Sequence, residues 1–285
     1  PLPKLEGIKD DCQSRGNMAF GEFSESTGRA DGANVIVSAT ETGGTDRRNV
    51  RVIGGGSTEA NIDAVNNTLI MTGGEVEELS GGFAKNGADA LNNRVYLVGS
   101  GASATIGGRT YEGGTITVGT NGVRAGYVAG GGKSSNNSVD IYGSDITVSS
   151  LDTAYTQILN FHIDEALVTG GTGETMISLG SGLTFETDTQ LNFYSNTETD
   201  WSKFVGKSLN LVEAANGITG IESVQVNIMS EDPIQQVRLA TATLSLGTDN
   251  RSLVLSNFQP VVPEPATGTL SLLALAALAA RRRRK

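Results

Sequence analysis

A self-match at an offset of 44 residues is the feature that most constrains the fold of this chain. Gly82-Phe83-Ala84 aligns with Gly126-Tyr127-Val128, and Arg94–Ser100 aligns with Ser138–Ser144. An earlier and looser copy lies between Val52 and Gly73. Each copy contains a glycine-rich turn, an asparagine pair and a short β-branched or apolar run that ends at a glycine. Internal repetition of this kind is typical of solenoids, in which each repeat contacts only its neighbours.

The asparagine pairs give the spacing of the repeats. Asn66-Asn67, Asn92-Asn93 and Asn136-Asn137 are separated by 26 and then 44 residues. With about 22 residues per coil, these spacings predict one coil and two coils. Glycine and asparagine tolerate the left-handed backbone of tight corners, and asparagines in successive coils can stack and hydrogen-bond. Two or three β-hairpins with similar turns are the alternative interpretation.

The composition favours an all-β chain. The sequence has 38 glycines in 285 residues, and its apolar runs are short and separated by Gly, Asn, Thr and Ser. Pro233 is the only proline between Lys4 and Gln259. Since proline cannot donate to a strand ladder, this scarcity favours long, continuously paired strands. Val95, Leu97, Val139 and Ile141 are expected to be buried at equivalent positions of parallel strands.

Residues 151–260 differ from the first 150 in having less glycine and longer strand patterns. Apolar and polar residues alternate cleanly in Leu159–Asp164. Leu244 and Leu246 are expected to face Leu253 and Leu255 across a hairpin turn at Asp249-Asn250. The predicted strands are Ile158–Ile163, Thr175–Leu179, Gln190–Tyr194, Ser208–Glu213, Ser223–Met229, Val237–Leu246 and Ser252–Phe258.

This second region resembles the C-terminal end of autotransporter passenger domains. The similarity lies in Leu159–Asp164, Gly180–Phe185, Ser208–Ala214 and Gly217–Gly220. The resemblance implies a right-handed parallel β-helix that is closed by residues 151–260, with residues 1–150 forming its Gly/Asn-rich repeats. The sequence departs from that family in lacking a C-terminal translocator barrel, and a different tail occupies residues 261–285.

The tail has three parts. Val262, Pro263, Glu264 and Pro265 form a rigid extended motif, because proline cannot continue a helix or a central strand. An apolar run from Gly268 to Ala280 follows and predicts a membrane helix. The residues assigned to the membrane segment are Thr267, Leu270, Leu272, Leu273, Leu275 and Leu278. The cytoplasmic anchor is the basic cluster Arg281, Arg282, Arg283, Arg284 and Lys285, because such clusters stay on the cytoplasmic side.

The three parts in this order resemble the PEP-CTERM sorting signal of exported bacterial proteins. The resemblance implies recognition and processing by an exosortase-type membrane enzyme, and a precursor held in the membrane by the C-terminal helix. A chance hydrophobic tail is the alternative, since a full span needs about 20 apolar residues. Terminal arginines lengthen the effective span by snorkelling.

The net charge of the chain limits the kinds of partner that it is expected to bind. The chain carries a formal net charge of −10, and residues 1–280 hold 16 basic and 31 acidic residues. An acidic body disfavours nucleic acid and anionic lipid as partners. The single cysteine, Cys12, allows no intrachain disulfide. The apolar stretch of a signal peptide does not follow Pro1-Leu2-Pro3-Lys4, and the first residue is Pro rather than Met, so we interpret the sequence as trimmed or as a fragment.

No constellation of catalytic or metal-binding residues stands out. His162, the only histidine, shares a predicted strand face with Asp164, and together they have the form of a base and its orienting acid. No nucleophile can be assigned to them, and a solvated polar face is the expected setting. The carboxylates do not cluster in sequence, and one histidine with one cysteine disfavours zinc. Trp201 is expected to cover the end of the core rather than to form a sugar platform.

The sequence therefore predicts an exported structural or adhesive protein of the cell envelope or surface, without enzymatic activity and without a cofactor. Extracellular polysaccharide is its further candidate partner. The alternative is a polysaccharide-acting β-helix enzyme or a glycan-binding surface protein. In that case carboxylates and basic residues are expected along one face of the stacked coils.

Overall fold

The computed structural model describes residues 4–6, 10–12, 18–23, 29–38, 50–57, 61–169, 174–232, 234 and 236–261. These residues form an all-β structure. The sorting motif, the predicted membrane helix and the basic cluster of the tail lie outside the described residues. Within the described ranges, none of the helices combines the length and the apolar character that crossing a membrane requires.

Most of the strands belong to two stacks of parallel strands. In the first stack each strand pairs in parallel with the next along the stack, and an antiparallel strand, β1, covers its first edge. Its members are β1 (Lys4–Glu6), β5 (Asn34–Ser38), β8 (Thr68–Met71), β11 (Arg94–Val98), β16 (Ser138–Tyr142), β18 (Ile158–Ile163), β21 (Gln190–Ser195) and β24 (Val224–Ser230).

The second stack is built in the same way, with an antiparallel strand, β2, at its first edge. The two longest strands of this stack, β9 and β14, pair on both sides of an irregularity between Val118 and Gly122, where the register shifts. Its members are β2 (Asp10–Cys12), β3 (Met18–Phe23), β6 (Arg51–Gly56), β9 (Gly74–Lys85), β14 (Ile116–Ala129), β17 (Ile146–Val148), β19 (Ile177–Leu179) and β22 (Leu209–Ala214).

Short elements complete the described part of the chain. A third parallel stack contains β4 (Arg29–Asp31), β7 (Asp63–Val65), β10 (Ala90–Leu91) and β15 (Ser134–Ser135). A hairpin, β12 (Ser103–Ile106) and β13 (Arg109–Glu112), follows β11 and packs on the first stack through Ala104 and Tyr111. The pair β20 (Leu183–Thr184) and β23 (Ile218–Thr219) is parallel. Helical structure is confined to α1 (Ala166–Thr169) and a 3₁₀ helix (Trp201–Phe204) in these ranges.

An asparagine ladder runs along the corner between the third and the first stack. Asn67 donates from its backbone N and its Nδ2 to Asn93 Oδ1 at 3.1 and 2.9 Å, and Asn93 donates likewise to Asn137 Oδ1 at 2.9 and 3.0 Å. All three asparagines are fully buried. Asn92, which precedes Asn93, has a φ of 56°, in the left-handed region that the sequence predicted for this corner.

The glycine of each repeat lies against the asparagine of the ladder. A Cβ added to Gly82 would lie 2.5 Å from Asn93 Nδ2, and one added to Gly126 would lie 2.2 Å from Asn137 Nδ2. Neither contact leaves room for a methyl group. The repeated Gly–Asn pattern is therefore a packing unit in which the backbone of one strand supports the ladder side chain.

The predicted parallel pairing of the repeats is confirmed, but the predicted size of one repeat is wrong. Val95 pairs with Val139 and Leu97 with Ile141 in adjacent parallel strands, and all four side chains are fully buried. The spacing of 26 residues is one step along the stack, as predicted, but the spacing of 44 residues is also one step and not two. The hairpin β12–β13 lies within the longer step and accounts for part of its additional length.

Antiparallel strands join the two stacks at the end of the described chain. β24 pairs with β25 (Arg238–Leu246), β25 pairs with β26 (Ser252–Pro260), and β26 returns to β22 of the second stack. Leu244 faces Leu255 and Leu246 faces Leu253, which confirms the predicted hairpin around Asp249-Asn250. All seven strands predicted for residues 151–260 are present, and their bounds differ from the prediction by at most two residues.

The main core lies between the stacks and continues to this end. Its side chains include the inward residues of β18, Leu159, Phe161 and Ile163, as the alternating pattern predicted. Trp201 is 8% exposed and packs with Phe204 and Phe258, so it closes the core and confirms the expectation for this residue.

Candidate functional site

A groove of about 660 Å³ lies on the outer face of the first stack. Four neighbouring strands each contribute one ring to its floor: Tyr96 of β11, Tyr142 of β16, His162 of β18 and Tyr194 of β21. The hairpin β12–β13 contributes hydroxyl groups, and the segment that follows β24 contributes polar side chains. We call this cavity the outer groove.

The parallel register of the first stack brings the aromatic residues together. Tyr142 pairs with His162 and His162 with Tyr194 in adjacent strands. The His162 ring stacks on Tyr142 with a centroid distance of 3.7 Å and an interplanar angle of 13°, and it lies 5.5 Å from the Tyr194 ring. These rings form a continuous column whose members are 20 and 32 residues apart in the sequence.

Asp140 is the centre of a polar network beneath this column. Its Oδ1 lies 3.2 Å from His162 Nε2 and accepts a hydrogen bond from Asn160 Nδ2 at 3.0 Å, while its Oδ2 lies 3.1 Å from Arg94 Nε. Asp140 is only 3% exposed. The buried carboxylate is therefore compensated by an ion pair and hydrogen bonds, as a buried charge requires.

His162 connects this network to the segment after β24. Its Nδ1 lies 2.8 Å from Oε1 of Glu231, so a protonated imidazole donates to Asp140 and Glu231 at the same time. Burial lowers the pKa of His162, but the hydrogen bonds and charges of Asp140 and Glu231 raise it by more, and the pKa lies above its ordinary value near 6.5. Both ring nitrogens thus lie against carboxylates, and the imidazole links Asp140 to Glu231 rather than serving as a free base.

Burial also changes the acidity of the tyrosines in the groove. It raises the pKa of Tyr142 and of Tyr96 above the usual range, and the neighbouring charge of Asp140 adds to the effect. Both phenols therefore remain protonated near neutral pH. Arg94 Nη1 donates to the Tyr96 hydroxyl at 2.9 Å, which leaves the phenolic proton available as a donor.

The structure corrects the expectations for His162 and the carboxylates. His162 is 9% exposed and contacts Asp140 and Glu231, and the predicted partner Asp164 instead accepts a hydrogen bond from the Ala166 backbone at 2.9 Å. Carboxylates do gather, since Asp140, Glu231 and Asp232 line the groove together with Arg94. The sequence alternation was right, but one partner of His162, Asp140, lies on the neighbouring strand β16, and the other, Glu231, lies in the segment after β24.

A second charged cluster lies on the second stack. Glu78 of β9 is fully buried and forms ion pairs with Arg51 of β6 and Arg124 of β14. Arg124 also lies over the ring of Tyr127 at 3.9 Å. Since each partner sits on a neighbouring strand, this cluster ties three strands together. In the described ranges, no group of three or more His, Cys, Asp or Glu residues is arranged to hold a metal ion.

The comparisons with known proteins concern the tail alone. Residues 261–285 match the family of the PEP-CTERM protein-sorting motif. This match covers Val262–Pro265, the apolar run and the basic cluster, as the sequence predicted. No curated protein and no solved structure matches the chain, so the resemblance of residues 151–260 to autotransporter passenger domains has no support from a relative.

Proposed function

We propose that this protein is an exported component of the bacterial cell surface or matrix with a structural or adhesive role. The PEP-CTERM motif indicates a precursor that is exported and sorted by an exosortase. In this proposal residues 267–280 form the membrane helix, Arg281–Lys285 stay in the cytoplasm, and the acidic body lies outside.

The proposed fold of the body is a right-handed parallel β-helix, in which the coils up to β17 pass through the third, first and second stacks in turn and the later coils pass through the first and second stacks. The asparagine ladder supports this proposal, because its hydrogen bonds join successive coils at one corner. The antiparallel strands β25 and β26 then cover the last coil. A body of this kind is rigid and elongated and presents a repetitive outer surface, which suits a structural or adhesive role.

Surface labelling in the native host tests this proposal. A membrane-impermeant amine reagent applied to intact cells is expected to modify the body, for example at the exposed Lys207. Deletion of the gene is expected to reduce cell aggregation or attachment. A body that is labelled only after lysis, together with unchanged attachment, contradicts the proposal.

A polysaccharide-acting enzyme is the second candidate function. The observation that favours it is the outer groove, in which Asp140, Glu231 and Asp232 lie with Arg94 across the stacked strands. Two carboxylates near a glycosidic bond are the usual apparatus of glycoside hydrolysis. Release of new reducing ends from a polysaccharide by the purified protein, and its loss in Glu231→Gln, would favour this function over a purely adhesive one.

A further inference from the structure

The outer groove has a pre-formed floor. Tyr142, His162 and Tyr194 occupy equivalent positions of three neighbouring strands, and Tyr96 lies on the next strand, β11, in register with Asp140. Neighbouring strands lie about 4.8 Å apart, so this floor extends roughly 14 Å along the stack. Backbone pairing on the strands fixes the side chains before any ligand arrives, which lowers the entropy cost of binding.

The chemistry of the lining matches a polyhydroxylated ligand. Aromatic rings offer surface to the C–H faces of sugars, and the ring hydroxyls of the tyrosines donate and accept hydrogen bonds. Around them lie short hydroxyl and carboxamide side chains, Ser103, Thr105, Asn196, Thr197 and Gln236. An apolar peptide would leave these polar groups unpaired, and unpaired buried polar groups cost free energy.

The charges of the groove select among sugars. Its two cationic side chains, Arg94 and His162, already contact Asp140 or Glu231. A bound phosphate, sulfate or uronate would have to compete for them against these carboxylates. Glu231 keeps 41% of its side chain exposed and can accept hydrogen bonds from ligand hydroxyls. Polyanions are therefore disfavoured, and uncharged sugars are favoured.

We propose that the outer groove binds a segment of an uncharged polysaccharide that lies across the strands of the first stack. This inference rests on the adhesive role proposed above and names the partner class and the site for it. Tyr194 supplies ring surface at one end of the column. Glu231 accepts ligand hydroxyls and, through His162, is tied to the buried Asp140.

Binding of defined sugars to the full-length chain, purified in a mild detergent, tests the proposal. The probes are neutral oligosaccharides of glucan, mannan and chitin, with polygalacturonate as the anionic probe. Isothermal titration is expected to detect at least one neutral oligosaccharide and no polygalacturonate. Tyr194→Ala and Glu231→Gln are expected to weaken that binding about tenfold each, as loss of one ring contact or one charge-assisted hydrogen bond predicts.

Matched variants outside the groove serve as controls. Tyr155→Ala removes a half-buried ring that contacts Tyr127, and Glu213→Gln removes an exposed carboxylate on β22. Both are expected to bind the neutral oligosaccharide like the parent chain. Circular dichroism of every variant shows whether it is folded. The proposal is overturned if no neutral oligosaccharide binds, if polygalacturonate binds more tightly, or if folded groove variants bind as well as the controls.

Two experiments distinguish a failure of the sugar-binding groove from a failure of the proposed surface role. If cells that carry Tyr194→Ala in place of the parent protein attach normally, the proposed surface role stands and the groove is not needed for it. Conversely, a purified chain that binds neutral sugar through Tyr194 but stays inside the native host would support the site and contradict the surface role.

Discussion

At the residue scale, side chains that repeat from strand to strand determine how this chain folds. The asparagine ladder shows this most clearly, because one amide both accepts from the preceding asparagine and donates to the following one. Asn93 additionally donates to the Ala64 carbonyl at 2.9 Å. The sequence indicated stacking from the spacing of the pairs alone. It could not show which asparagine of each pair is buried, since that depends on the turn geometry.

Asn93→Ala is expected to lower the free energy of unfolding by about 3 kcal/mol. The substitution leaves buried amide and carbonyl groups of Asn67, Ala64 and Asn137 without their partner. Urea denaturation followed by circular dichroism measures the change. The neighbouring Asn92→Gly is the control, because Asn92 is exposed, glycine accepts its φ of 56°, and the effect should stay within about 0.5 kcal/mol. Equal effects of the two variants would contradict the ladder's role.

His162 is expected to make stability depend on pH. Because its pKa is higher in the folded chain than in the unfolded chain, its contribution is fully present below a pH of about 6.5 and is lost as the pH rises through the folded-state pKa. His162→Phe removes this contribution. The difference in melting temperature between parent and variant should therefore shrink from pH 6 to pH 9. A constant difference over that range would show that the imidazole is neutral in the fold.

At the element scale, strand positions and the β25–β26 hairpin were predictable, whereas the neighbours of most strands in the stacks were not. The alternation of apolar residues located β18 and the strands of residues 208–260 closely, because one face of each strand is buried in the core. The outer groove was not predictable from the sequence, because its contacts depend on which strands are neighbours rather than on the pattern within one strand. Its Asp140–His162 and His162–Glu231 contacts join strands or segments 22 and 69 residues apart, and the intervening lengths vary from step to step.

The aromatic cluster beside β26 is expected to hold the closing strands on the stacks. Phe204 is fully buried and lies 4.7 Å from Trp201 and 5.2 Å from Phe258 between ring centroids. Phe204→Ala should cost about 3–5 kcal/mol of unfolding free energy, the usual range for a buried phenylalanine. Val205→Ala, at a side chain that is 58% exposed, should cost less than about 0.5 kcal/mol. Comparable losses in the two variants would show that the cluster does not support this end.

At the scale of the whole molecule, the body and the tail carry opposite charges. The net charge is −10 although the last five residues are all basic. The basic cluster supports the orientation proposed above, in which it is retained in the cytoplasm and the body lies outside. The tail was recognisable from sequence because its function depends on local residue order. The outer groove of the body depends on packing between distant residues, so the sequence did not reveal it.

Removal of Arg281–Lys285 is expected to leave the precursor unprocessed in the native host, because the apolar run then lacks the cations that fix its orientation. Immunoblotting against the body, in pulse-chase samples, measures the ratio of precursor to mature chain. A version in which lysines replace the four arginines keeps the charge and should mature normally. Equal maturation of the truncated and the lysine versions would show that the basic cluster is dispensable.

Mass spectrometry of the C-terminal peptide of the protein isolated from the native host tests whether the tail is a sorting signal. We expect a mature chain that ends near Pro263-Glu264-Pro265 and lacks residues 267–285, together with an uncut chain in the Glu264→Ala variant. A mature protein that still ends at Lys285, or a Glu264→Ala variant that is processed at the parent rate, would contradict the account of the tail as a sorting signal.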